Sequence, residues 1–228
     1  MTLLASWIGI DTHGPTSAYM VSDSRISWGM TRNFDYGKKV FASSQYPEIF
    51  GYAGKVIFPS IVLAQLIEMI DAGILFTSEM TCSEKHAAVF EKLCHSFSKY
   101  PEDCVPHPVQ ILHISRDTNF EKYPAFSCRL FTWSAKSGWH CKTIEIPNES
   151  GILCVLGREL KSLILITKGI VPVQIVVPVA MCFIVLLIHC LILLTLHVGD
   201  LHSWLEYIEN PEPMQLTLVS FITKNAIY

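Results

Sequence analysis

Met1-Thr2-Leu3-Leu4-Ala5-Ser6-Trp7-Ile8-Gly9-Ile10 opens the stretch, residues 1–54, whose reading decides the fold. Ser22-Asp23-Ser24-Arg25 follows, then Lys38-Lys39-Val40-Phe41, then Gly51-Tyr52-Ala53-Gly54. Residues 3–10 are apolar and rich in strand formers, Gly14-Pro15 marks a turn, and Ala18-Tyr19-Met20-Val21 leads into Ser22-Asp23 as a second strand. Val40-Phe41-Ala42 and Ile49-Phe50-Gly51-Tyr52 continue as short strands, and the whole predicts a β-meander. Taken singly, each polar feature has a plain structural explanation. Thr2 is the second residue of any chain, Asp23 and Arg25 suit a turn with a surface ion pair, and Lys38-Lys39 suits a solvated strand edge. Gly51 and Gly54 suit a turn at positive φ.

In this order and spacing, the same residues resemble the N-terminal half of a proteasome β-type subunit of the Ntn (N-terminal nucleophile) hydrolase superfamily, as a bacterial proteasome-like member. Asp23 and Lys39 lie sixteen residues apart, as the family's acid and lysine do, and Lys38-Lys39-Val40-Phe41 is similar to its Lys-Lys-Leu-Phe run. The resemblance covers residues 2–75 well and residues 105–158 in pattern. It implies a four-layer αββα sandwich of the α+β class and a threonine-type peptidase or amidohydrolase. Removal of Met1 alone would free Thr2, whose hydroxyl attacks a carbonyl while its own α-amine serves as base. A hydroxyl is a weak nucleophile until a base takes its proton, and an α-amine of pKa near ~8 does so close to neutrality. Lys39 would favour the neutral amine, Asp23 would hold Lys39, and the Gly54 N–H would support the oxyanion. One departure stands out: Thr2 to Asp23 is longer than in typical subunits, and Asp11-Thr12-His13-Gly14-Pro15 looks like the insertion.

Composition bounds the alternatives. A chain of 228 residues suits one domain with a sizeable core, and a net charge of −3 with no basic cluster argues against a nucleic-acid partner. Eight cysteines form no C-x-x-C pair, so zinc and thioredoxin-like sites are not expected. Without a signal peptide they read as small buried hydrophobes of a reducing cytoplasm. No metal or organic cofactor is implied. The partners expected are a peptide or amide substrate and, by family resemblance, further copies of the chain in a homo-oligomer.

After Gly54 the apolar period lengthens. Phe58, Ile61, Val62, Leu66, Met69 and Ile70 predict a helix with Pro59 in its first turn and Gly73 as its stop. Thr81 and Glu84 predict a capping box at the start of a second helix, running through Ala87, Phe90, Leu93, Cys94 and Phe97 to Pro101. His86 and His95 on that helix lack metal-ligand spacing and read as surface or half-buried. Strands return at 109–115, 125–134, 139–146 and 152–156, and Gly157 sits where the family turns into its third helix.

The C-terminal third breaks this pattern. Residues 169–199 contain no Asp, Glu, Lys or Arg, and residues 175–196 are long enough to cross a bilayer at ~20 residues. The segment 161–228 is therefore anomalous beside an Ntn-hydrolase domain at 2–160, and two readings stay open. Taken literally, it holds an irregular or helical apolar segment, a candidate transmembrane helix that would anchor the chain to a membrane. Alternatively, a one-base frame slip near residues 158–166 hides an amphipathic helix and a final strand. Three function classes follow: a threonine hydrolase, a catalytically silent Ntn-fold binding or assembly protein, and a membrane-anchored protein.

Overall fold

The computed structural model describes residues 3–12, 14–28, 32–101, 108–117, 125–157 and 216–222. Strands β1 (Leu3–Asp11) and β2 (Gly14–Asp23) form the first hairpin, with Asp11 opposite Gly14. A register shift between Gly9 and Ile10 leaves Thr16 as one extra residue near the tip, just after the predicted insertion. His13 lies outside the described residues. Two short strands that the sequence reading did not separate, β3 (Ile26–Trp28) and β4 (Arg32–Phe34), pair as a small hairpin of their own. Strands β5 (Val40–Ala42) and β6 (Glu48–Gly54) follow where the meander predicts them.

Helices α1 (Ile57–Asp71) and α2 (Cys82–Ser98) come next, then β7 (Val109–Arg116), β8 (Phe126–Ser134), β9 (Gly138–Ile144) and β10 (Gly151–Gly157). At the start of α2 the Thr81 side chain accepts from the Glu84 backbone, and the Glu84 carboxylate accepts from the Thr81 N–H, the reciprocal box read from the sequence. A last strand, β11 (Leu216–Ile222), pairs antiparallel with β2, with Leu216 opposite Asp23. The literal sequence thus supplies a closing strand that the sequence reading had found only in a shifted frame.

Besides the β3–β4 pair, two larger sheets result, in the orders β10-β1-β2-β11 and β5-β6-β7-β8-β9. In the second, the central strands β6 and β7 are buried on both faces, because helices cover one side and the other sheet covers the opposite side, while the edge strand β9 is largely exposed. Phe50, Tyr52, Val109, Ile111 and Phe131 pack against Phe58, Val62, Leu66, Val89 and Leu93 of the helices. The alternate residues Ile49, Ala53, Leu112 and Ile114 turn the other way, onto Leu4, Ala18 and Met20. The period-two alternation of β6 therefore separates two apolar cores rather than core from solvent. Each large apolar side chain so buried contributes ~1.5–3 kcal/mol. Gly51 is needed where the sheets meet, since an added Cβ would collide with the Leu4 and Met20 side chains.

The described residues form three layers, helices over sheet over sheet, and belong to one unit made of residues 1–157 and the C-terminal strand. The second helical layer of the expected four-layer sandwich would fall on residues 158–214, outside the described residues, as does the candidate membrane segment 175–196. Among the described residues no helix is long and apolar enough to cross a membrane.

Candidate active site

The two adjacent lysines, just before β5, face opposite ways. Lys38 is exposed, with its ammonium 4.9 Å from the centre of the Phe41 ring, while Lys39 turns inward and is fully buried. The buried ammonium donates to Asp23 Oδ2 at 2.8 Å and to the Arg25 carbonyl at 2.5 Å. Two of the sequence-predicted site residues, Asp23 and Lys39, are thus in direct contact. Desolvation lowers the proton affinity of Lys39 below that of an ordinary lysine, and Asp23 opposes this by charge and hydrogen bonding.

The segment between the two residues is closed by its own contacts. Gly37 N–H donates to the Ser24 carbonyl at 2.9 Å. The plain reading pairs Arg25 with Asp23, but the described side-chain hydrogen bonds of Arg25 go to Asp35. The Arg25 Nε and Nη2 grip both oxygens of Asp35 at 2.5 and 3.2 Å, which holds the Asp35 carboxyl below its usual range. The far side is set by Tyr52, whose N–H donates to the Lys39 carbonyl and whose hydroxyl donates to that of Lys38. Arg25, Asp35 and Tyr52 thus fix a position that the sequence marks only by Asp23 and Lys39.

Gly54 ends β6, opposite Val109, at φ +101, where side-chain-bearing residues are strained. An added Cβ there would also strike the Pro108 carbonyl oxygen. The glycine is exposed, two residues beyond the Tyr52 that binds the Lys39 backbone. Thr2 lies outside the described residues. Its neighbour Leu3 begins β1 opposite Gly157, and Leu4 lies opposite Ser22, the residue before Asp23.

A second polar cluster was not anticipated. Glu48, Lys85, His86, His113 and Ser115 are all buried beneath α2. Glu48 Oε1 accepts from Lys85 at 2.9 Å and from Ser115 at 3.0 Å, and Oε2 lies 2.8 Å from His113 Nε2. His86, expected at or near the surface, is 1% exposed. It stands three and seven residues before Val89 and Leu93, so the apolar face of the helix carries it inward; that spacing was the available signal. The cysteines divide: Cys82 and Cys128 are buried as expected, whereas Cys141 is exposed. Among the described residues no group of three or more His, Cys, Asp or Glu is disposed to hold a metal ion.

No protein-family model matches the sequence, and no curated protein matches it. Solved structures do. Anbu (ancestral beta-subunit) from Yersinia bercovieri aligns over 98% of this chain and 83% of its own, at 12% identity and a TM-score of 0.53. The helically assembled Anbu complex from Pseudomonas aeruginosa aligns over 95% and 80%, at 11% identity and a TM-score of 0.48. HslV from Trypanosoma brucei aligns over 96% and 98%, at 10% identity and a TM-score of 0.45. At this identity the likeness concerns architecture, and the Yersinia protein carries it: the chain has a fold of the proteasome-like Ntn type.

Proposed function

We propose that the chain is a threonine-type N-terminal nucleophile hydrolase that cleaves an amide or peptide bond. Thr2 is the nucleophile, and its α-amine, freed by removal of Met1, is the base. The observation that carries the reading is the burial of Lys39 against Asp23 beside the start of β1. Leu4 pairs with Ser22, and Thr2 is one Cα step of ~3.8 Å from Leu3.

In this reading the amine takes the hydroxyl proton as the Thr2 oxygen adds to the substrate carbonyl. The fixed charge of Lys39 favours the neutral amine, Asp23 and the Arg25 carbonyl hold that charge in place, and the Gly54 N–H donates to the oxyanion. Collapse of the tetrahedral intermediate returns the proton to the leaving amine, and water then cleaves the ester with the same base. The hydrolase domain spans residues 2–160, the protein is cytoplasmic, and copies of the chain assemble into a homo-oligomer.

Intact mass and covalent labelling test this together. A chain lacking Met1 should react with an electrophilic threonine probe at Thr2, and Thr2→Ala should keep the fold and lose the label. Retained Met1, or equal labelling of both proteins, would leave a catalytically silent Ntn-fold assembly protein as the reading.

A further inference from the structure

The hydrogen-bonded row Glu48–His113–His86 crosses the layer between the β5–β9 sheet and α2 without touching solvent. His113 Nε2 lies 2.8 Å from Glu48 Oε2, and its Nδ1 lies 2.8 Å from His86 Nδ1. The His113 ring is stacked on Phe50 with centroids 4.0 Å apart, and His86 meets it edge-on at 4.4 Å. Each short contact needs one proton between its two heavy atoms, and that requirement fixes the tautomers. With Glu48 ionised, His113 carries its proton on Nε2 and gives it to the carboxylate. Its Nδ1 is then bare and must accept, so His86 carries its proton on Nδ1. That leaves His86 Nε2 bare, and this buried atom indeed has no hydrogen-bond partner among the described residues.

The row has a second arrangement of equal completeness. We propose that Glu48, His113 and His86 form a buried proton relay that takes up one proton and reverses its hydrogen bonds in doing so. The proton binds at His86 Nε2. His86 passes its Nδ1 proton to His113 Nδ1, and His113 passes its Nε2 proton to Glu48 Oε2. One proton enters, two move along the row, and both imidazoles remain neutral with their tautomers exchanged. The carboxylate ends as a carboxylic acid that donates to His113 Nε2. The Ser127 backbone already favours a proton on the His86 ring.

The charges around the row support this path. Burial and the Lys85 charge hold His113 well below its ordinary range, and burial, His113 and Arg129 do the same to His86, so neither ring becomes an imidazolium. Burial pushes Glu48 the other way, up to about 7, against the opposing pull of Lys85 and Ser115. Asp117 adds to that upward push, and the Cys82 thiol also faces the group. Protonation removes the charge opposite Lys85, which keeps the Arg116 carbonyl at 3.2 Å. The ionic tie between β6 and α2 is thereby lost near neutral pH while the helix remains seated on its apolar face. The relay is a pH-sensitive clasp between helix and sheet.

Nitrogen-15 NMR of histidine-labelled full-length protein reads the tautomers directly. At the alkaline end the protons should sit on His113 Nε2 and His86 Nδ1. At the acidic end, with the fold intact, they should sit on His113 Nδ1 and His86 Nε2, and both rings should change at one midpoint. Glu48→Gln should fix the acidic pattern at every pH. Lys85 and Ser115 both donate at the Oε1 position, so the amide oxygen must lie there and the NH₂ must face His113. Ser115→Ala, a milder change, removes one donor to the carboxylate and should raise the midpoint by about half to one pH unit. Separate midpoints, an imidazolium in the folded protein, unchanging tautomers while the fold persists, or a Ser115→Ala midpoint that stays or falls would overturn the relay. If Glu48→Gln fails to fold, the wild-type and Ser115→Ala titrations decide.

Discussion

Asp23→Ala tests the candidate active site most directly, because the two halves of its ion pair are not equivalent. The Lys39 side chain is 0% exposed and that of Asp23 is 13% exposed. Removing the carboxylate leaves a fully buried ammonium with the Arg25 carbonyl as its remaining described acceptor. Stranding a buried charge in this way costs ~3–5 kcal/mol, a large share of a typical domain's stability. Lys39→Met instead leaves a carboxylate that reaches water and puts an apolar chain of similar length in the channel, at a cost of ~0–2 kcal/mol. With Met at 39, the further change Asp23→Ala should cost less than ~1 kcal/mol, so the cycle should show a coupling of ~2–4 kcal/mol. Urea unfolding followed by tryptophan fluorescence gives all four stabilities.

The pH dependence supplies an independent arm. Burial already places Lys39 below its usual 10.5, and loss of Asp23 lowers it further. A folded-state pKa below the unfolded one means that stability is lost as pH falls through the folded value and regained as pH rises toward the unfolded value. The Asp23→Ala deficit should therefore shrink between neutrality and about pH 10. Equal costs for the two single variants, or a deficit that stays flat with pH, would refute the assignment of Lys39 as a buried charge dependent on Asp23.

Two further substitutions check the frame around the site. Gly54→Ala should destabilise by ~1–3 kcal/mol in urea, because φ +101 is strained for alanine and the new Cβ meets the Pro108 carbonyl. A neutral result would show that the end of β6 is held differently. Thr81→Ala should lose the cap of α2 and ~0.5–2 kcal/mol, whereas Thr81→Ser should lose almost none of it. Equal losses for the two would assign the effect to packing rather than to the hydroxyl.

Much of the meander was legible because it is written locally. The apolar runs of β1, β2, β5 and β6, the turn at Gly14, and the Thr81–Glu84 box each depend on neighbours a few residues away. The small β3–β4 hairpin was missed for the same reason. Its six paired residues include Ser27, Arg32 and Asn33, which give neither period, and its base is held by Arg25–Asp35 and Gly37–Ser24 contacts. The resemblance selected Asp23 and Lys39 and their contact follows, but not the part played by Arg25. A bidentate hold on Asp35 and a carbonyl turned to Lys39 are outcomes of how the loop closes.

His86 and His113 show where sequence reasoning ran out. A histidine on an amphipathic helix can face either way, and the sequence reading placed His86 at the surface or half-buried. What buries it is a partner 27 residues on, itself bound to a glutamate a further 65 residues back. The sequence by itself determined most of the strands, the two described helices and the cap, because these follow from backbone periodicity and nearest neighbours. Only the tertiary structure decided which polar groups meet in the dark between the layers. Desolvating a charge is worthwhile only when partners from distant segments arrive at the same place, and no local pattern records that meeting.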